Sequence, residues 1–448
     1  MKSIFKYLIF SFLSWCAKIR LERFRRNGAQ IIGVTGSIGK TTCKEAVAHV
    51  LRGQFRVLSS SKSYNTELGL PLTILELKSE FSSVIGWAKN LIIAFWRGIF
   101  DRTTYDILVL EMGVDKPGDM DVLLKMVTPD VGIFTGVHPV HLADGQFGSL
   151  EEIFEEKSKL IRAVGSRGTV ILNQDDERCA HLGNEMSRVK NGPKIIMFGM
   201  NERSKLYAEK AREEWGKILF DAHYGEVIGN FEVPILGIQH ISSLLPAIGC
   251  GLVFGMYMLD ITNELKTFRL PPGRLSLIEG MNASWIIDSS YNASPDAVRA
   301  AIRTLTTLFH LSANATHPIS RRVFVFGNMN ELGTSSEKEH REIATSLKDS
   351  IDILVTVGDQ AQFCADETLS QNILPQGSIY SFSTTEEAVS FMPSFIQPKD
   401  LILIKGSQNN VRLEWLAKAI MAHPDQAEKL LARQEWKSGY NPSTGAHP

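Results

Sequence analysis

Residues 30–50 read QIIGVTGSIGKTTCKEAVAHV, and this stretch decides the fold of the chain. The apolar run from Ile31 to Val34 predicts a buried strand, and the residues from Cys43 onward predict a helix. The glycine-rich segment between them predicts a tight loop. A strand, a glycine-rich loop and a helix in this order are typical of a parallel sheet covered by helices. The stretch therefore predicts an α/β fold.

The loop itself has the chemistry of a phosphate site. Its glycines let backbone N–H groups turn toward phosphate oxygens, and the following helix adds the positive end of its dipole. Lys40 supplies a point charge, and the Thr41 hydroxyl can reach Mg²⁺. The register departs from the usual G-x-x-x-x-G-K-[ST] pattern, because Val34 stands at the first glycine position and Gly33 lies one place earlier. We predict nucleotide binding at Gly36, Ser37, Gly39, Lys40, Thr41 and Thr42.

Composition sets the class of protein. The chain has 448 residues, room for about three domains, and its 44% hydrophobic and 22% charged residues exclude a disordered or fibrous protein. The formal net charge is −1, which gives no global attraction for nucleic acid, so we exclude nucleic acid as a partner. The five cysteines contain no C-x-x-C pair, which argues against a disulfide framework or zinc site and favours the cytoplasm.

Further apolar runs extend the pattern along the chain. Central strands are predicted at Ile107 to Leu110, Val131 to Thr135, Val170 to Leu172 and Ile195 to Phe198. An antiparallel portion is predicted within residues 200–233, followed by one helix from Ser242 to Leu259. The Pro271-Pro272-Gly273 sequence marks a domain boundary. Beyond it, strands are predicted at Trp285 to Ile287, Arg322 to Phe326, Ile353 to Val357 and Leu401 to Ile404.

The predicted architecture is α/β, with a P-loop central domain that has a mostly parallel sheet and then a smaller Rossmann-like α/β domain. The central domain spans residues 29–270 and the second domain spans 271–424. Residues 425–448 are predicted to be a short helix and a frayed tail. Residues 1–28 are predicted to be a basic, apolar N-terminal helix.

Two apolar stretches leave alternatives open. Tyr7 to Ala17 is an uncharged run flanked by basic residues, and it is too short to span a bilayer and lacks a signal-peptide cleavage site. Ser83 to Phe100 has apolar residues at near-helical spacing. Residues 1–26 and 83–100 could each contact a membrane surface, at the inner face of the plasma membrane, or could pack against the protein's own core.

A phosphate loop needs a metal partner at the end of a neighbouring strand. Glu111 ends the apolar run from Ile107 to Leu110, and His141 follows the next predicted strand. A carboxylate and a neutral imidazole are both metal ligands. An ordinary strand-end carboxylate and a surface histidine are the alternatives.

Eight segments, in order, resemble the Mur ligase family, the ATP-dependent amide ligases that build the peptidoglycan stem peptide. They are GVTGSIGKTT at 33–42, SYNTELGLPLT at 63–73, LEMG at 110–113, HLADGQFGS at 141–149, PGR at 272–274, DSSYNASPDAVRAAI at 288–302, GNMNELG at 327–333 and KGS at 405–407. The SYNASP residues within the sixth segment point to the branch that joins D-alanyl-D-alanine to a UDP-muramoyl tripeptide.

The resemblance implies ATP and Mg²⁺ as cofactors, and a reaction in which a peptide carboxylate takes the γ-phosphate and an amine then displaces phosphate. It implies catalytic roles for Lys40, Lys157 and His141, and metal ligation by Thr41, Glu111, His141 and a carbamylated Lys157. It further implies nucleotide contacts by Arg274, Asp288 and Asn292, and substrate contacts by Asn65, Tyr291, Lys405 and Ser407. By their residue types alone, Lys157 and Lys405 are also compatible with solvated lysines and Asp288 with a strand-end acid.

The chain departs from the family pattern in three places. The family usually has an N-terminal domain that holds the UDP-sugar, and we expect that surface to be missing or replaced because the P-loop begins near residue 33. The family's His-Asn-x-x-Asn segment reads Gln239-His240-Ile241-Ser242-Ser243, so amide contacts to the base are lost or supplied differently. Gln408 stands where an arginine is common.

Two other functions stay open at this point. One is the same chemistry on a lipid-linked or polyglutamate-like carrier, and the other is a nucleotide-binding scaffold without turnover. Lys40, Thr41 and Glu111 are all present, which favours an enzyme. We expect a monomer.

Overall fold

The computed structural model describes residues 2–60, 68–78, 84–138, 146–313, 318–330, 332–407 and 411–432. The elements up to residue 265 are α1 (Lys2–Arg26), β1 (Gln30–Thr35), α2 (Lys40–Arg52), β2 (Val57–Ser59), α3 (Gly69–Ile74), α4 (Val84–Ile99), β3 (Ile107–Glu111), α5 (Asp119–Leu124), β4 (Val131–Phe134), α6 (Leu150–Arg162), β5 (Thr169–Asn173), α7 (Glu177–Ser187), β6 (Lys194–Gly199), β7 (Leu206–Glu214), β8 (Lys217–Tyr224), β9 (Val227–Val233), α8 (Ile241–Val253) and α9 (Met258–Leu265).

The later elements are β10 (Ser276–Glu279), β11 (Trp285–Ser289), α10 (Pro295–Ser312), β12 (Arg321–Gly327), α11 (Ser336–Ala344), β13 (Ile353–Val357), α12 (Gln362–Ser370), β14 (Ile379–Phe382), α13 (Thr385–Phe395), β15 (Asp400–Lys405), α14 (Leu413–Ile420) and α15 (Ala427–Leu430). Short 3₁₀ turns lie at Ile238–His240, Met281–Ala283, Gly333–Ser335, Gln376–Ser378 and Pro424–Gln426.

The first sheet has the strand order β2-β3-β1-β4-β5-β6-β7-β8-β9. The strands from β2 to β7 run parallel, and β8 and β9 complete an antiparallel extension. Since β1 lies between β3 and β4, Val34 is paired with Glu111 on one side and Ile133 on the other. The loop after β1 and Glu111 therefore share the carboxyl edge of the sheet. The predicted α/β class, the parallel strands and the antiparallel portion are confirmed.

Helices cover both faces of this sheet. One core joins α1, α3 and the helices from α5 to α7 to residues such as Ile31 and Leu108, and the other joins α2, α8 and α9 to Ile32 and Val109. Ile31 and Ile32 are consecutive in β1, and Leu108 and Val109 are consecutive in β3. Their assignment to different cores follows from the alternation of side chains between the two faces of a strand. The nearly continuous apolar runs of β1 and β3 follow from burial on both faces.

The second sheet has the order β10-β11-β15-β12-β13-β14, parallel except for the β10–β11 pair. The connection from α9 to β10, residues 266–275, contains the Pro271-Pro272-Gly273 sequence at the predicted boundary. The first part of the predicted tail packs on this domain, because Ala427 and Leu431 are buried.

The prediction of a single helix from Ser242 to Leu259 is wrong. α8 ends at Val253 and α9 begins at Met258, and Gly255 between them has a φ of +83°. A left-handed glycine is a common way to end a helix. Both helices bury apolar residues in the same core, so the apolar pattern continues across the break. The strands β2, β10 and β14 were absent from the prediction; they have only three or four residues each and lie at sheet edges.

The N-terminal helix packs against the central domain. Leu13, Cys16 and Phe24 of α1 are buried in its core. The Arg20 guanidinium is also buried, where it donates to the Ile74 carbonyl at 2.7 Å and pairs with Glu76 and Asp101 at 2.7 Å each. Residues 1–26 could contact a membrane surface or pack on the protein's own core. These contacts show that much of the apolar side of α1 packs on the core. Within the described residues, none of the helices combines the length and the apolar character needed to span a membrane.

We expect Arg20→Ala to destabilise the fold by about 2–4 kcal/mol, because it leaves buried acceptors and carboxylates without their cation. Arg26→Ala is the matched control, since Arg26 is 80% exposed and pairs with Glu22 at 3.6 Å. The control is expected to change stability by less than about 0.5 kcal/mol. Urea denaturation followed by circular dichroism measures both changes. Equal effects of the two substitutions would contradict a structural role for the Arg20 cluster.

Candidate active site

The phosphate loop approaches the end of β4 closely. Gly36 has a φ of +148°, and a Cβ at this position would overlap with Thr135 Oγ1. The Ser37 N–H donates to the Gly136 carbonyl at 2.9 Å, and the Thr135 hydroxyl donates to the Ile38 carbonyl at 2.7 Å. Only glycine fits the conformation and the space at residue 36. These bonds hold the loop over the carboxyl edge of the sheet.

Polar residues after β5 support the same edge. The Asn173 amide donates to the Thr135 carbonyl at 2.9 Å, and Asp176 Oδ2 accepts the Val137 N–H at 2.7 Å. Asp176 also caps α7 by accepting the Arg178 and Cys179 N–H groups. The sequence reasoning missed Thr135, Asn173 and Asp176. Their position at or shortly after the ends of predicted strands was the available signal, since such residues meet at one sheet edge.

Thr41 and Glu111 are adjacent, as predicted for a metal site. The Thr41 hydroxyl donates to Glu111 Oε1 at 3.1 Å, and Glu111 is 2% exposed. Its second oxygen, Oε2, is buried and has no hydrogen-bond partner among the described residues. A buried carboxylate oxygen of this kind fits a hard divalent cation. The Lys40 ammonium donates to the Ser37 carbonyl at 3.0 Å and so stays beside the loop.

The described residues contain no group of three or more His, Cys, Asp or Glu side chains placed to hold a metal. A protein site for Mg²⁺ does not require one, because Mg²⁺ commonly takes one or two carboxylates together with phosphate oxygens and water. Thr41 and Glu111 therefore fit Mg²⁺ as part of such a set.

Lys157 of α6 is fully buried, which excludes the solvated-lysine alternative. Its Nζ has no hydrogen-bond partner in the described part of the chain. Burial, assisted by the charge of Lys40, lowers the pKa of Lys157 well below the usual value of a lysine. Burial therefore favours the neutral amine over the ammonium, and the neutral amine is the form of a lysine that can act as a nucleophile.

Arg274, Tyr291 and His240 lie together where the second domain begins. The Arg274 guanidinium lies over the Tyr291 ring, 4.4 Å from its centroid, and the Tyr291 N–H donates to the Gly273 carbonyl at 3.1 Å. Burial, with smaller contributions from the charges of Arg274 and Lys405, lowers the pKa of His240 to about 4. His240 is therefore neutral at physiological pH.

Lys405 and Ser407 hold the loop that follows β11. The Lys405 ammonium donates to the Asn292 carbonyl at 2.6 Å and to Ser289 Oγ at 3.2 Å, and Ser407 Oγ donates to the Ala293 carbonyl at 3.2 Å. Burial and then the charge of Arg274 lower the pKa of Lys405 to about 7. Both side chains are buried, so the solvated-loop alternative for Lys405 is wrong. Their contact with a substrate stays a prediction.

Asp288, in β11 just before this loop, is buried and accepts the Ser290 N–H at 3.1 Å through Oδ1. Asn292 is exposed. A contact between the two domains lies nearby, since His138 Nδ1 is 3.5 Å from Asp296 Oδ2, and the carbonyl of His138 accepts the Ser37 hydroxyl at 3.2 Å. The start of α10 therefore lies next to the phosphate loop. The predicted site residues Asn65 and His141 lie outside the described residues.

Both domains of the chain match models of a known protein family. Residues 34–251 match the Mur ligase middle domain, and residues 273–408 match the Mur ligase glutamate ligase domain. The chain belongs to the Mur ligase family. The two matched regions contain the phosphate loop, Glu111 and Lys157 in the first, and Arg274, Tyr291 and Lys405 in the second.

Several relatives that share the same name align along most of this Mur ligase. The UDP-N-acetylmuramoyl-tripeptide--D-alanyl-D-alanine ligase of Bacillus subtilis is 26% identical over 407 residues, covering 89% of this chain and 77% of that protein. The Synechocystis protein of the same name is 27% identical over 393 residues, covering 88% and 74%. A crystal structure of MurF from Acinetobacter baumannii has a TM-score of 0.72 at 25% identity and covers 93% of this chain and 80% of that chain.

We expect Gly36→Ala to lower the affinity for ATP tenfold or more, because a Cβ there is strained and displaces the loop from Thr135. The control is Gly165→Ala, at a glycine where a Cβ has no neighbour within 4 Å. Isothermal titration with ATP and Mg²⁺ measures both affinities. Wild-type affinity in Gly36→Ala would show that the close approach to β4 is not needed for nucleotide binding.

Proposed function

We propose that this protein is an ATP- and Mg²⁺-dependent, ADP-forming ligase that joins D-alanyl-D-alanine to a UDP-muramoyl tripeptide in peptidoglycan precursor synthesis. The observation that carries the proposal is the grouping of Lys40, Thr41 and Glu111 at one sheet edge in a Mur ligase, where relatives of that one name align along most of the chain. An intact phosphate site with its acidic partner favours turnover over a scaffold role.

The chemistry requires activation of a carboxylate, which is unreactive toward an amine until one of its oxygens can leave. Transfer of the γ-phosphate to that oxygen creates a carboxylic-phosphoric anhydride, and the amine of D-alanyl-D-alanine then displaces inorganic phosphate. The carboxylate and the phosphate are both anions, so positive charge between them lowers the barrier. Lys40 and the N–H groups of the loop and of the α2 N-terminus supply that charge.

Thr41 and Glu111 would hold Mg²⁺, together with His141 and a carbamylated Lys157. When bound, Mg²⁺ neutralises phosphate charge and orients the oxygens. The buried Oε2 of Glu111, which has no hydrogen-bond partner in the part of the chain that the structure describes, supports this role. The lowered pKa of Lys157 supports carbamylation, because the uncharged amine adds to carbon dioxide, loses a proton and becomes an anionic oxygen ligand.

Residues of both domains would enclose the reactants. Arg274, Asp288 and Asn292 would contact the nucleotide, and Asn65 and Tyr291 would contact the peptide substrates. Lys405 and Ser407 would also contact substrate, and their hydrogen bonds to residues 289–293 hold that loop in place. The His138–Asp296 contact supports an arrangement in which the second domain closes over the phosphate loop.

We also propose that the protein is a cytoplasmic monomer that works at the inner face of the plasma membrane, through residues 1–26 and 83–100. The support is the α1–α4 layer, where large apolar side chains of α4 such as Ile85 and Ile92 are exposed to solvent. The last turn of α1 carries Arg23, Arg25 and Arg26, and Arg23 donates to the Gly98 and Ile99 carbonyls at the end of α4.

Phosphate release from ATP tests the proposed reaction. The purified protein is given UDP-muramoyl tripeptide and D-alanyl-D-alanine singly and then together, and products are identified by mass. The proposal expects release only with both substrates, with one pentapeptide formed per phosphate. ATP binding without release in the presence of both would contradict the proposed substrates.

We expect Glu111→Gln to lower kcat a hundredfold or more, because the amide keeps the shape of the carboxylate but cannot neutralise a cation. The apparent affinity for Mg²⁺ should fall as well, which a titration of the steady-state rate with Mg²⁺ measures. Glu151→Gln is the matched control at an exposed carboxylate of α6 that pairs only with Arg178 among the described residues. A Mg²⁺ dependence unchanged in Glu111→Gln would contradict the metal role.

We expect Lys157 to carry a carbamate, visible by ¹³C NMR after incubation with ¹³C-bicarbonate and absent in Lys157→Ala. Lys159→Ala should keep the signal, because Lys159 pairs with Asp121 and Glu156, which raise its pKa and keep it charged. Carbamylation consumes the neutral amine, and the lowered pKa of Lys157 favours that form. The carbamate NMR signal should therefore persist at neutral pH and disappear as acid protonates the amine. A signal that survives in Lys157→Ala would contradict this assignment.

A further inference from the structure

One face of α4 is apolar and turned toward solvent. Ile85, Ile92 and Trp96 lie on one side of the helix, since they are seven and four residues apart, and they are 85%, 73% and 61% exposed. Phe100 continues this stripe past the helix end, with its ring centroid 5.2 Å from that of Trp96. The opposite side packs on α1, where Gly98 lies against Cys16. An exposed apolar stripe marks an interaction surface.

A basic cavity adjoins the end of this α4 stripe. It has a volume of about 370 Å³ and is lined by Arg23, Asn27, Ile99, Phe100 and Arg102. The Arg23 guanidinium is fixed there, because it donates to the Gly98 and Ile99 carbonyls at 2.6 and 2.9 Å. Phe100 belongs to both the stripe and the cavity, so the apolar and basic surfaces are continuous.

Charge indicates what this combined surface contacts. Residues 1–26 contain seven basic residues and one acid, Glu22, in a chain with a formal net charge of −1. Glu22 pairs with Arg26 at 3.6 Å, and Asp101 beside the cavity pairs with the buried Arg20 at 2.7 Å. These two acids are thus paired with arginines. A surface that is apolar, aromatic and basic complements an anionic bilayer better than it complements water or a second basic copy of itself.

The cavity and the phosphate loop lie at opposite ends of the strands of the central sheet. Near the cavity, Arg25 pairs at 3.5 Å with Asp130, which directly precedes β4. The phosphate loop lies instead beside Thr135, which directly follows β4. A ligand in the cavity therefore leaves the nucleotide site uncovered.

We propose that the cavity between Arg23 and Arg102 binds the phosphate headgroup of an anionic phospholipid while the α4 stripe enters the bilayer interface. The planar guanidinium of arginine matches the geometry of phosphate oxygens. Phe100 lines the cavity and Trp96 packs on Phe100, and aromatic side chains of this kind are enriched at the bilayer interface. This site rests on the proposed membrane contact and is independent of the ligase reaction.

Vesicle flotation with the full-length protein tests the proposal. The vesicles contain phosphatidylcholine alone or with about one-third phosphatidylglycerol. We expect the wild-type protein to bind the anionic vesicles more strongly. Arg102→Gln should lower the affinity for the anionic vesicles alone by about fivefold, the effect of losing one basic group near the surface. Ile92→Ser should weaken binding to both kinds of vesicle. Inorganic phosphate at millimolar concentration should not displace the protein.

Two matched variants serve as controls. Arg188→Gln removes an exposed arginine at the end of α7, and Leu259→Ser removes an apolar side chain of α9 that is 68% exposed; both should bind vesicles like wild type. Phosphate release by all four variants should be unchanged, which separates this proposal from the proposed reaction. Equal binding of Arg102→Gln and wild type would overturn the headgroup site. Absence of vesicle binding by wild type, or an Ile92-dependent dimer in its place, would overturn the membrane contact as well.

Discussion

The contact between the loop after β1 and the end of β4 is the constraint on which the rest of the site depends. Gly36 can lie against Thr135 only because it has no side chain and adopts a positive φ. That approach sets where α2 begins, and so places Lys40 and Thr41 over the sheet edge. The position of β1 between β3 and β4 then brings Glu111 within hydrogen-bond distance of Thr41. One backbone contact thus connects the strand order of the sheet to the chemistry of its edge.

Burial decides which charges the site contains. Lys157 and Lys159 are two residues apart on α6, yet the buried Lys157 has a lowered pKa, and Lys159, beside two carboxylates, has a raised one. Burial lowers the pKa of His240 and Lys405 in the same way. Burial therefore weakens the positive charge of these three side chains relative to an exposed lysine or histidine. A neutral amine at Lys157 is what carbamylation needs, and a charged one would repel Mg²⁺.

Much of the fold could be predicted from the sequence, because β1, β3 and the other buried parallel strands are nearly continuous apolar runs. Periodicity could not show the break between α8 and α9, since both helices face one core and Gly255 acts through its conformation. Composition could not decide where α1 lies, because a basic apolar helix suits a membrane or a protein surface equally. The buried Arg20 cluster shows that one side of α1 packs on the central domain, and that cluster joins residues far apart in sequence.

The candidate site was predictable where chemistry and strand order coincide, as for Lys40, Thr41 and Glu111. Residue type alone favoured a solvated side chain for Lys157 and was compatible with one for Lys405, and the family resemblance was needed to single them out. Their burial depends on packing that no local pattern reveals. Asn173 and Asp176 were missed because they act on the backbone of residues 135–137, so their role is visible only in three dimensions.

Transfer of oxygen tests the central claim most directly. The terminal carboxylate of the UDP-muramoyl tripeptide is labelled with ¹⁸O, the protein is given ATP, Mg²⁺ and D-alanyl-D-alanine, and the released phosphate is analysed by mass. If the carboxylate oxygen attacks the γ-phosphate and later leaves with it, one ¹⁸O atom appears in each phosphate for each pentapeptide formed. Pentapeptide formation with unlabelled phosphate would contradict the proposed activation of the carboxylate.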